Sequence, residues 1–437
     1  PNCGARHACP VLGPAPRLLS SERLVRILIV SQYFWPEQFF INDFVRALTA
    51  QGHVVEVLTG KPNYPDGKIF DGYTEEGCTN EQWDDGTVIH RVPLRTRRAG
   101  GGKNLVLNYL SFVVNGLRHG YQAVGHKDFD VVLAVAFSPI TSVIPAIYLK
   151  WRKKLPLAIW IQDLWPESLS ATGFVRNRTI LAGVGMMVRA IYGAASLLLV
   201  QSKAFREPVA RLASDRKIVY YPNSSPDPRA TPLKPCTLPA SLLATLENNF
   251  CVVFAGNLGT AQSLHTILAA ARKLKGRNDS RIVLVGSGSV LGRIRDEVER
   301  EGLSNVVLAG RFPNDQMPHI FDRAAGLLVT LNRDAILAQT IPSKVQAYLA
   351  AGRPIIGALD GAGAEVIRDA GAGLVCAAED SDGLADCIER LRAMNEGERE
   401  ALAASGRRFY LEHYEITRQV DRLVSILSEK LELKEKA

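Results

Sequence analysis

Short apolar runs alternate with longer amphipathic segments along most of the chain. In the first half the runs are RILIVSQ, VVEVLTG, FDVVLAVAFS, LPLAIWIQD and ASLLLVQS, and amphipathic segments such as NDFVRALTAQGH separate them. The pattern restarts with CVVFAGN and continues through RIVLVGSG, NVVLAGR, AAGLLVTLN, RPIIGAL and AGLVCAA. Short apolar strands separated by helices predict parallel sheets that are covered on both faces. We therefore predict an α/β fold with two doubly wound, Rossmann-like domains.

Breaks in this pattern predict the domain boundaries. Residues 1–24 are rich in Pro, Gly and Arg and lack the apolar core of a signal peptide, so we expect a disordered extension. Residues 25–220 are the predicted N-terminal domain, the proline-rich residues 221–248 a linker, and residues 249–410 the C-terminal domain. Residues 411–437 predict one or two closing helices. Because parallel sheets bind ligands beyond the carboxyl ends of their strands, we expect a site in the cleft between the domains.

Composition narrows the compartment and the partner only slightly. The net charge of +8 predicts an anionic partner, for which nucleic acid, an acidic membrane and a phosphorylated substrate all qualify. The seven cysteines are scattered without a Cys-x-x-Cys pair, which indicates neither a disulfide framework nor a zinc site and favours the cytoplasm. Residues 131–149 approach the length of a membrane span, but Pro139 and Pro145 interrupt them, so we predict strand, loop and helix.

The segment TIPSKVQAYLAAGRPII, residues 340–356, carries the strongest functional signal. A polar loop leads into a helix with Lys344 in its first turn, and the helix ends at Gly-x-Pro before an apolar strand. Free N–H groups and a cation then point at one spot, which suits a phosphate. The segment resembles the donor-binding helix of family 4 glycosyltransferases, in the L-fucosamine transferase-like branch of O-antigen, capsule and colanic acid sugar transferases. The resemblance covers residues 25–433 and implies the two-domain architecture called GT-B.

A glycine-bounded loop follows the first strand of the second domain, in CVVFAGNLGTAQS. Gly256 and Gly259 allow backbone N–H groups to approach a diphosphate. The loop resembles the donor loop of the family, but Asn257 and Gln262 stand where the family has an arginine and a lysine. Two cations are thereby replaced by neutral amides, and a bound diphosphate needs another source of positive charge.

Lys344 is the expected source of that charge, with Arg311 and Arg333 in reserve. The alternative for Lys344 is a solvated lysine at a helix start. A second glycine loop, with Gly286 and Gly288, is weak evidence by itself, but in the family it approaches the donor nucleotide.

The donor helix also departs from the family. Its usual two glutamates fall at Gln339, which can still bind a sugar hydroxyl, and at Ala347, which cannot. Glu365 is the nearest carboxylate for the ribose, although a glutamate at a helix N-terminus is equally explained by the helix dipole. The predicted donor-binding residues are Gly256, Asn257, Gly259, Gln262, Gly286, Gly288, Arg311, Gln339, Ser343 and Glu365, with Lys344 as a catalytic residue.

On the acceptor side, the run AIWIQDLWPESLS delivers polar residues to a strand end. Gln162 stands where many family members have a histidine that touches the transferred sugar. Asp163 and Glu167 are catalytic candidates, since a carboxylate within hydrogen-bond distance of the acceptor hydroxyl can orient or deprotonate it. The alternative for Glu167 is a role in capping the following helix. In the opening loop, Tyr33 and Trp35 suit stacking on a sugar or lipid, or packing between domains.

Two basic clusters flank apolar segments of the first domain. The first precedes the apolar residues 104–117 and the second follows residue 149; together they contain Arg91, Arg95, Arg97, Arg98, Lys103, Lys150, Arg152, Lys153 and Lys154. A basic rim beside an exposed apolar helix predicts docking on an anionic membrane, whereas the alternative is a buried helix with a solvated charged end.

The resemblance implies a retaining glycosyltransferase that moves a sugar, of the N-acetylated deoxyhexose class, from a nucleoside diphosphate donor. We expect a UDP-sugar as donor substrate, a polyprenyl-diphosphate-linked saccharide as acceptor, and a place on the cytoplasmic face of the plasma membrane. We expect no cofactor, no metal site and no nucleic acid partner. The alternatives are a GT-B nucleotide-sugar epimerase and a non-catalytic nucleotide-sugar-binding protein.

Overall fold

The computed structural model describes residues 24–98, 101–125, 127–171 and 177–431. Residues 1–23 of the expected N-terminal extension and residues 432–437 of the expected closing segment lie outside these ranges. Two separate parallel sheets, each covered by helices, make up the structure and confirm the predicted α/β fold.

The N-terminal domain is built on one sheet of eight strands. They are β1 (Arg26–Val30), β2 (Val54–Thr59), β3 (Thr79–Gln82), β4 (Val88–Arg91), β5 (Val131–Ala136), β6 (Leu157–Ile161), β7 (Leu197–Val200) and β8 (Ile218–Tyr220). The spatial order is β3-β4-β2-β1-β5-β6-β7-β8, parallel except for the antiparallel pair β3 and β4. The helices are α1 (Phe40–Ala50), α2 (Gly102–Val124), α3 (Ile144–Lys153), α4 (Glu167–Ala171), α5 (Arg178–Ala194) and α6 (Arg206–Ala210).

The C-terminal domain has a six-stranded, fully parallel sheet. Its strands are β9 (Phe250–Ala255), β10 (Ser280–Val285), β11 (Val306–Gly310), β12 (Gly326–Thr330), β13 (Ile355–Ala358) and β14 (Gly373–Cys376), in the order β11-β10-β9-β12-β13-β14. The helices are α7 (Ala240–Asn248), α8 (Leu264–Lys273), α9 (Leu291–Glu301), α10 (Met317–Phe321), α11 (Ser343–Ala351), α12 (Ala362–Asp369) and α13 (Ser381–Ala393).

Apolar residues on both faces of each sheet form the cores. Every residue of β5 and β6 is buried, because helices cover both faces and leave no position for a polar side chain. The polar strand β3, TNEQ, lies at an exposed edge, so it carries no apolar run that the sequence pattern could reveal. Helix α7 lies inside the residues expected to form a linker, and its Leu242 and Leu246 join the C-terminal core.

Two final helices, α14 (Glu396–His413) and α15 (Ile416–Lys430), connect the domains. Helix α14 packs against α11, whereas α15 crosses back to α1. Val420 and Leu423 of α15 are buried in the N-terminal core, together with Phe44. The crossing is fixed by the Tyr221 hydroxyl, which donates to the Gln419 carbonyl at 2.6 Å. Within the described ranges, no helix is long and apolar enough to span a bilayer.

Candidate active site

The carboxyl ends of neighbouring strands bring the candidate residues together. Tyr33, Ser138 and Asp163 follow β1, β5 and β6, and in the other domain Gly256 and Gly286 follow β9 and β10. Parallel strands place their carboxyl ends at one edge of each sheet, where backbone turns expose polar side chains. Each set is therefore a property of the sheet order and not of proximity along the chain.

Gly256 and Gly286 lie back to back at the ends of β9 and β10. Both have positive φ angles, +136° and +141°, and a Cβ atom on Gly286 would lie 1.8 Å from the Gly256 carbonyl oxygen. Only glycine fits this contact. The Gly256 N–H donates to the Val285 carbonyl at 2.9 Å, and the Gly286 N–H to the Gly310 carbonyl at 2.7 Å. These two N–H groups therefore hold the loops together and are not free to bind a ligand.

The two glycine loops open a cavity of about 320 Å³ beside them. Four predicted donor residues line it together, namely Gly256, Asn257, Gly286 and Arg311. Gly259 and Gly288 allow close contacts within these loops. A Cβ atom on Gly288 would lie 2.3 Å from the Leu258 carbonyl oxygen, and one on Gly259 would lie 2.6 Å from Asn257 Nδ2. The cavity has a polar, backbone-rich wall and one exposed cation, Arg311.

Lys344, in the first turn of α11, reaches back to these loops. Its Nζ donates to Gln262 Oε1 at 2.7 Å and lies 4.7 Å from the centre of the Phe254 ring, and its Cε would contact a Cβ atom placed on Gly256. No carboxylate in the described ranges lies within salt-bridge distance of Lys344, whereas Arg272 and Arg407 each have a carboxylate partner. Burial lowers the pKa of Lys344 to about 8. Among the described residues, the ammonium is thus held without a counter-ion beside this cavity.

A second cavity, of about 660 Å³, adjoins the first. Both cavities are lined by Asn314 and Met317. The second extends along α11 past Ala347 to the linker prolines Pro226 and Pro228. Ala347 is exposed into this space. The missing glutamate is therefore replaced by open, mostly apolar volume and not by another side chain.

Other predicted donor residues lie elsewhere around α11. Ser343 is exposed at the start of the helix, and Gln339 precedes it with a buried Oε1 that has no partner in the described part of the chain. Glu365, in the first turn of α12, lines a separate interdomain cavity of about 500 Å³ with Lys203 and Arg418. The structure does not bring Glu365 to the cavity that holds Arg311. Arg333, the other reserve cation, donates to the Ala378 carbonyl at 2.9 Å.

Asp163 follows β6 at the strand-end edge of the N-terminal sheet. Burial raises its pKa, and hydrogen bonds from the hydroxyl and backbone N–H of Ser138 oppose that shift. Trp165 Nε1 donates to the Ser138 hydroxyl at 3.1 Å, which orients that hydroxyl toward the carboxylate. A half-buried carboxylate with a raised pKa at a strand end can accept a proton from a hydroxyl.

Glu167 begins α4 and faces a different neighbour. Burial is the largest cause that raises the pKa of the buried Tyr192 hydroxyl on α5, and the Glu167 carboxylate raises it further. This places the Glu167 carboxylate near α5. Its helix-start position fits the capping alternative as well as a catalytic one.

Gln162 belongs to a chain of amides that joins the domains. Asn223 Nδ2 donates to Gln162 Oε1 at 2.8 Å, Gln346 Nε2 of α11 donates to the Asn223 carbonyl at 2.8 Å, and Gln201 Nε2 donates to the Gln162 carbonyl at 2.6 Å. Gln162 Nε2 is buried and has no partner in the described ranges. These contacts, which the sequence did not reveal, connect the end of β6 to helix α11 of the other domain.

The two aromatic candidates of the opening loop point to different places. Tyr33 stacks on Phe39 with ring centroids 5.2 Å apart, and its hydroxyl accepts a hydrogen bond from Arg97. Trp35 packs 5.9 Å from Trp83, and its carbonyl accepts a hydrogen bond of 2.5 Å from Arg91. Tyr33 is therefore buried at the end of β1 among these side chains, whereas Trp35 lies beside the edge of the sheet.

No group of three or more His, Cys, Asp or Glu side chains in the described ranges is placed to hold a metal ion.

Comparisons with known proteins identify both domains. The model of the "Glycosyl transferase 4-like domain" matches residues 38–224, and that of "Glycosyl transferases group 1" matches residues 249–393. The colanic acid biosynthesis glycosyl transferase WcaI of Escherichia coli K12 is 21% identical over 401 residues, which cover 86% of this chain and 92% of WcaI.

Solved structures agree with this fold. Sucrose-phosphate synthase of Thermosynechococcus elongatus has a TM-score of 0.70 at 15% identity, with 94% of this chain and 100% of that chain covered. Anabaena Alr3699/HepE in complex with UDP has a TM-score of 0.64 at 13% identity, with 93% and 100% covered. The chain therefore belongs to the family 4 glycosyltransferases of the GT-B architecture.

Proposed function

We propose that this glycosyltransferase moves a sugar, of the N-acetylated deoxyhexose class, from a UDP-linked donor to a hydroxyl of a lipid-linked saccharide during surface polysaccharide synthesis, with retention of configuration. The observation that carries the proposal is Lys344, an ammonium that lies beside the glycine-lined cavity and has no counter-ion in the part of the chain that the structure describes. The similarity to WcaI supports a role in polysaccharide synthesis, and the complex of HepE with UDP supports the choice of nucleotide.

The residues divide the chemistry between the two domains. Lys344 and the N-terminus of α11 stabilise the negative charge that develops on the leaving diphosphate, with Arg311 at the rim of the cavity. We propose that this stabilisation needs neither a cofactor nor a metal ion. Asp163 orients the acceptor hydroxyl and accepts its proton, or the departing diphosphate accepts it instead.

The donor class can be tested with a panel of UDP-, GDP- and dTDP-sugars. We expect UDP-sugars to raise the melting temperature selectively, because a ligand that binds only the folded state stabilises it; at 100 times its dissociation constant the gain is about 2.7 kcal/mol. Differential scanning fluorimetry with and without EDTA measures both the nucleotide preference and the proposed independence from metal. A larger shift with GDP- or dTDP-sugars than with UDP-sugars would contradict the choice of uridine.

An apolar stripe on α2 supports the membrane part of the proposal. Val106, Leu110, Val114 and Leu117 recur at helical spacing and are 49%, 51%, 58% and 36% exposed. Trp151 on the neighbouring α3 is 70% exposed. We call these five exposed apolar residues the membrane patch. Lysines and arginines border it, and the exposed ones are Arg98, Lys103, Arg118, Arg152 and Lys154.

The structure corrects the membership of the basic clusters. Arg91 is buried, and its side chain bonds Glu81 and the Gly60 carbonyl. Lys153 donates to the carbonyls of Gly125 and Lys127. The remaining exposed cations, next to an apolar stripe, fit the anionic cytoplasmic face of the plasma membrane, and we propose that the enzyme docks there.

Sedimentation with vesicles tests this docking. We expect the protein to sediment with phosphatidylglycerol vesicles at low salt and to remain in solution with phosphatidylcholine, since anionic lipid attracts the basic border. Leu110→Glu together with Val114→Glu should abolish sedimentation. The matched control, Val54→Glu with Leu233→Glu, alters equally exposed apolar residues outside the patch and should sediment like the wild type. If both double variants sedimented equally, the membrane patch would have no role.

A further inference from the structure

Arg97 lies among three tyrosine rings at the strand-end surface of the N-terminal domain. Its guanidinium carbon is 5.1 Å from the ring centres of Tyr33 and Tyr64 and 5.7 Å from that of Tyr109. Its side chain also donates to the Tyr33 hydroxyl. We call Tyr33, Tyr64 and Tyr109 the tyrosine cage.

The tyrosine cage is held in place by buried polar groups. Glu37 accepts hydrogen bonds from the backbone N–H groups of Asn63 at 2.8 Å and Tyr64 at 2.7 Å. Asn108 of α2 donates to the Arg95 carbonyl at 2.6 Å and accepts from Gln32 at 3.0 Å. These bonds fix the loops that carry Tyr64 and Arg97, so the arrangement is preorganised and does not depend on a ligand.

The charge of Arg97 is not neutralised within the described residues. No carboxylate there lies within salt-bridge distance of its guanidinium, and its buried Nε has no hydrogen-bond partner. Aromatic faces favour a guanidinium but leave its N–H groups unsatisfied. A guanidinium in this state is suited to an oxyanion, which it can bind through two parallel N–H donors.

The tyrosine cage lies between the proposed acceptor base and the membrane patch. Burial raises the pKa of Tyr109, Arg97 opposes that shift, and Asp163 adds to it, which places the Asp163 carboxylate near this phenol. Tyr109 is on α2, and its neighbour Leu110 belongs to the exposed apolar stripe. A ligand that passes from the bilayer to Asp163 would therefore meet Arg97 on the way.

We propose that Arg97 and the tyrosine cage bind a phosphate group of the lipid-linked acceptor. This inference rests on the proposed transfer to a lipid-linked saccharide. Such an acceptor carries its phosphates at the junction between lipid and sugar, which matches the position of Arg97 between the apolar stripe and the carboxylate. The contact would hold the acceptor in register, with its sugar hydroxyl directed at Asp163.

The test is calorimetric titration of farnesyl diphosphate into protein that is saturated with UDP, so that the donor site is occupied. We expect Arg97→Met to weaken farnesyl diphosphate binding at least about tenfold, because charge-assisted bonds to phosphate are lost. Arg97→Lys keeps the charge but not the paired donors, so it should lose less affinity for farnesyl diphosphate than Arg97→Met. Arg216→Met, a change at an exposed arginine of the same domain outside the membrane patch, should bind like the wild type.

Two comparisons separate the sources of the phosphate. Farnesol should bind far more weakly than farnesyl diphosphate, and Arg97→Met should still sediment with phosphatidylglycerol vesicles. Equal binding of farnesyl diphosphate by Arg97→Met and the wild type would overturn the inference, as would equal binding of farnesol. A parallel loss of vesicle binding would assign Arg97 to lipid headgroups and would also overturn it.

The inference and the proposed function can fail separately. If UDP did not bind, the choice of donor would be wrong, yet the titration would remain readable in a Lys344→Ala background, because the tyrosine cage belongs to the other domain. Unchanged UDP stabilisation of Arg97→Met shows that the variant is folded.

Discussion

Replacing Lys344 with methionine is expected to weaken donor binding and at the same time to stabilise the ligand-free protein. Methionine keeps most of the buried volume but removes the charge that the leaving diphosphate needs, so kcat/KM should fall by about 10²- to 10³-fold. The free enzyme should gain stability, on the order of 1–2 kcal/mol, because burial disfavours the ammonium, whose pKa is lowered to about 8. Chemical denaturation and UDP titration measure the two effects.

The pH dependence of this gain has a definite sign. The folded-state pKa lies below the ordinary lysine value of 10.5, so the burial cost is fully present below pH 8 and disappears as the pH rises from 8 to 10.5. The stability difference between Lys344→Met and the wild type should close over that range. UDP affinity of the wild type should fall above pH 8 for the same reason, since the diphosphate prefers the protonated form.

Lys275 provides the matched control, because it is an exposed lysine of the same domain. Lys275→Met should alter neither UDP affinity nor activity. Undiminished UDP binding by Lys344→Met would remove this residue from the donor site and, with it, the main support for the proposed function.

Replacing Asp163 with asparagine is expected to reduce kcat by about 10²- to 10³-fold and to leave UDP affinity unchanged. The amide keeps the shape of the side chain and can still accept a bond from Ser138, but it cannot take a proton. Single-turnover transfer from a radiolabelled UDP-sugar to membrane-extracted acceptor separates the chemical step from binding. Asp128→Asn, at an exposed carboxylate, is the control.

The pH–rate profile distinguishes a base from a positioning group. The hydrogen bonds from Ser138 oppose the upward shift of the Asp163 pKa, so Ser138→Ala should raise that pKa further. The acidic limb of the profile should then move to higher pH, because the carboxylate stays protonated longer. An unchanged kcat in Asp163→Asn would mean that the departing diphosphate accepts the proton.

Much of the donor side could be predicted from the sequence because its signals are local. An apolar run followed by Gly-x-x-Gly, or a lysine in the first turn of a helix, depends on neighbouring residues only. Gly256, Gly286 and Lys344 were predicted in this way, and the structure places all three at the glycine-lined cavity or in contact with its loops. Glu365 was selected by the same local reasoning, but it lies in another cavity, since sequence position does not reveal which side of α11 a later helix occupies.

The acceptor side required tertiary structure. Arg97 was read from the sequence as one charge in a basic cluster, and nothing local distinguished it from the exposed Arg98. Its surroundings come from the ends of β1 and β2 and from α2, which are brought together by the order of strands in the sheet. The amide chain through Gln162 and Asn223 likewise joins segments that are distant along the chain.

The sequence by itself determined the α/β alternation, the two sheets, the family and the residues of the glycine loops, because these depend on periodicity and on short motifs. The tertiary structure alone decided that Arg91 is buried while Arg97 lies in the tyrosine cage, that Lys344 has no counter-ion among the described residues, and that Ala347 opens onto apolar space. Burial and charge pairing are properties of segments that meet only on folding, and the pattern along one segment does not contain them.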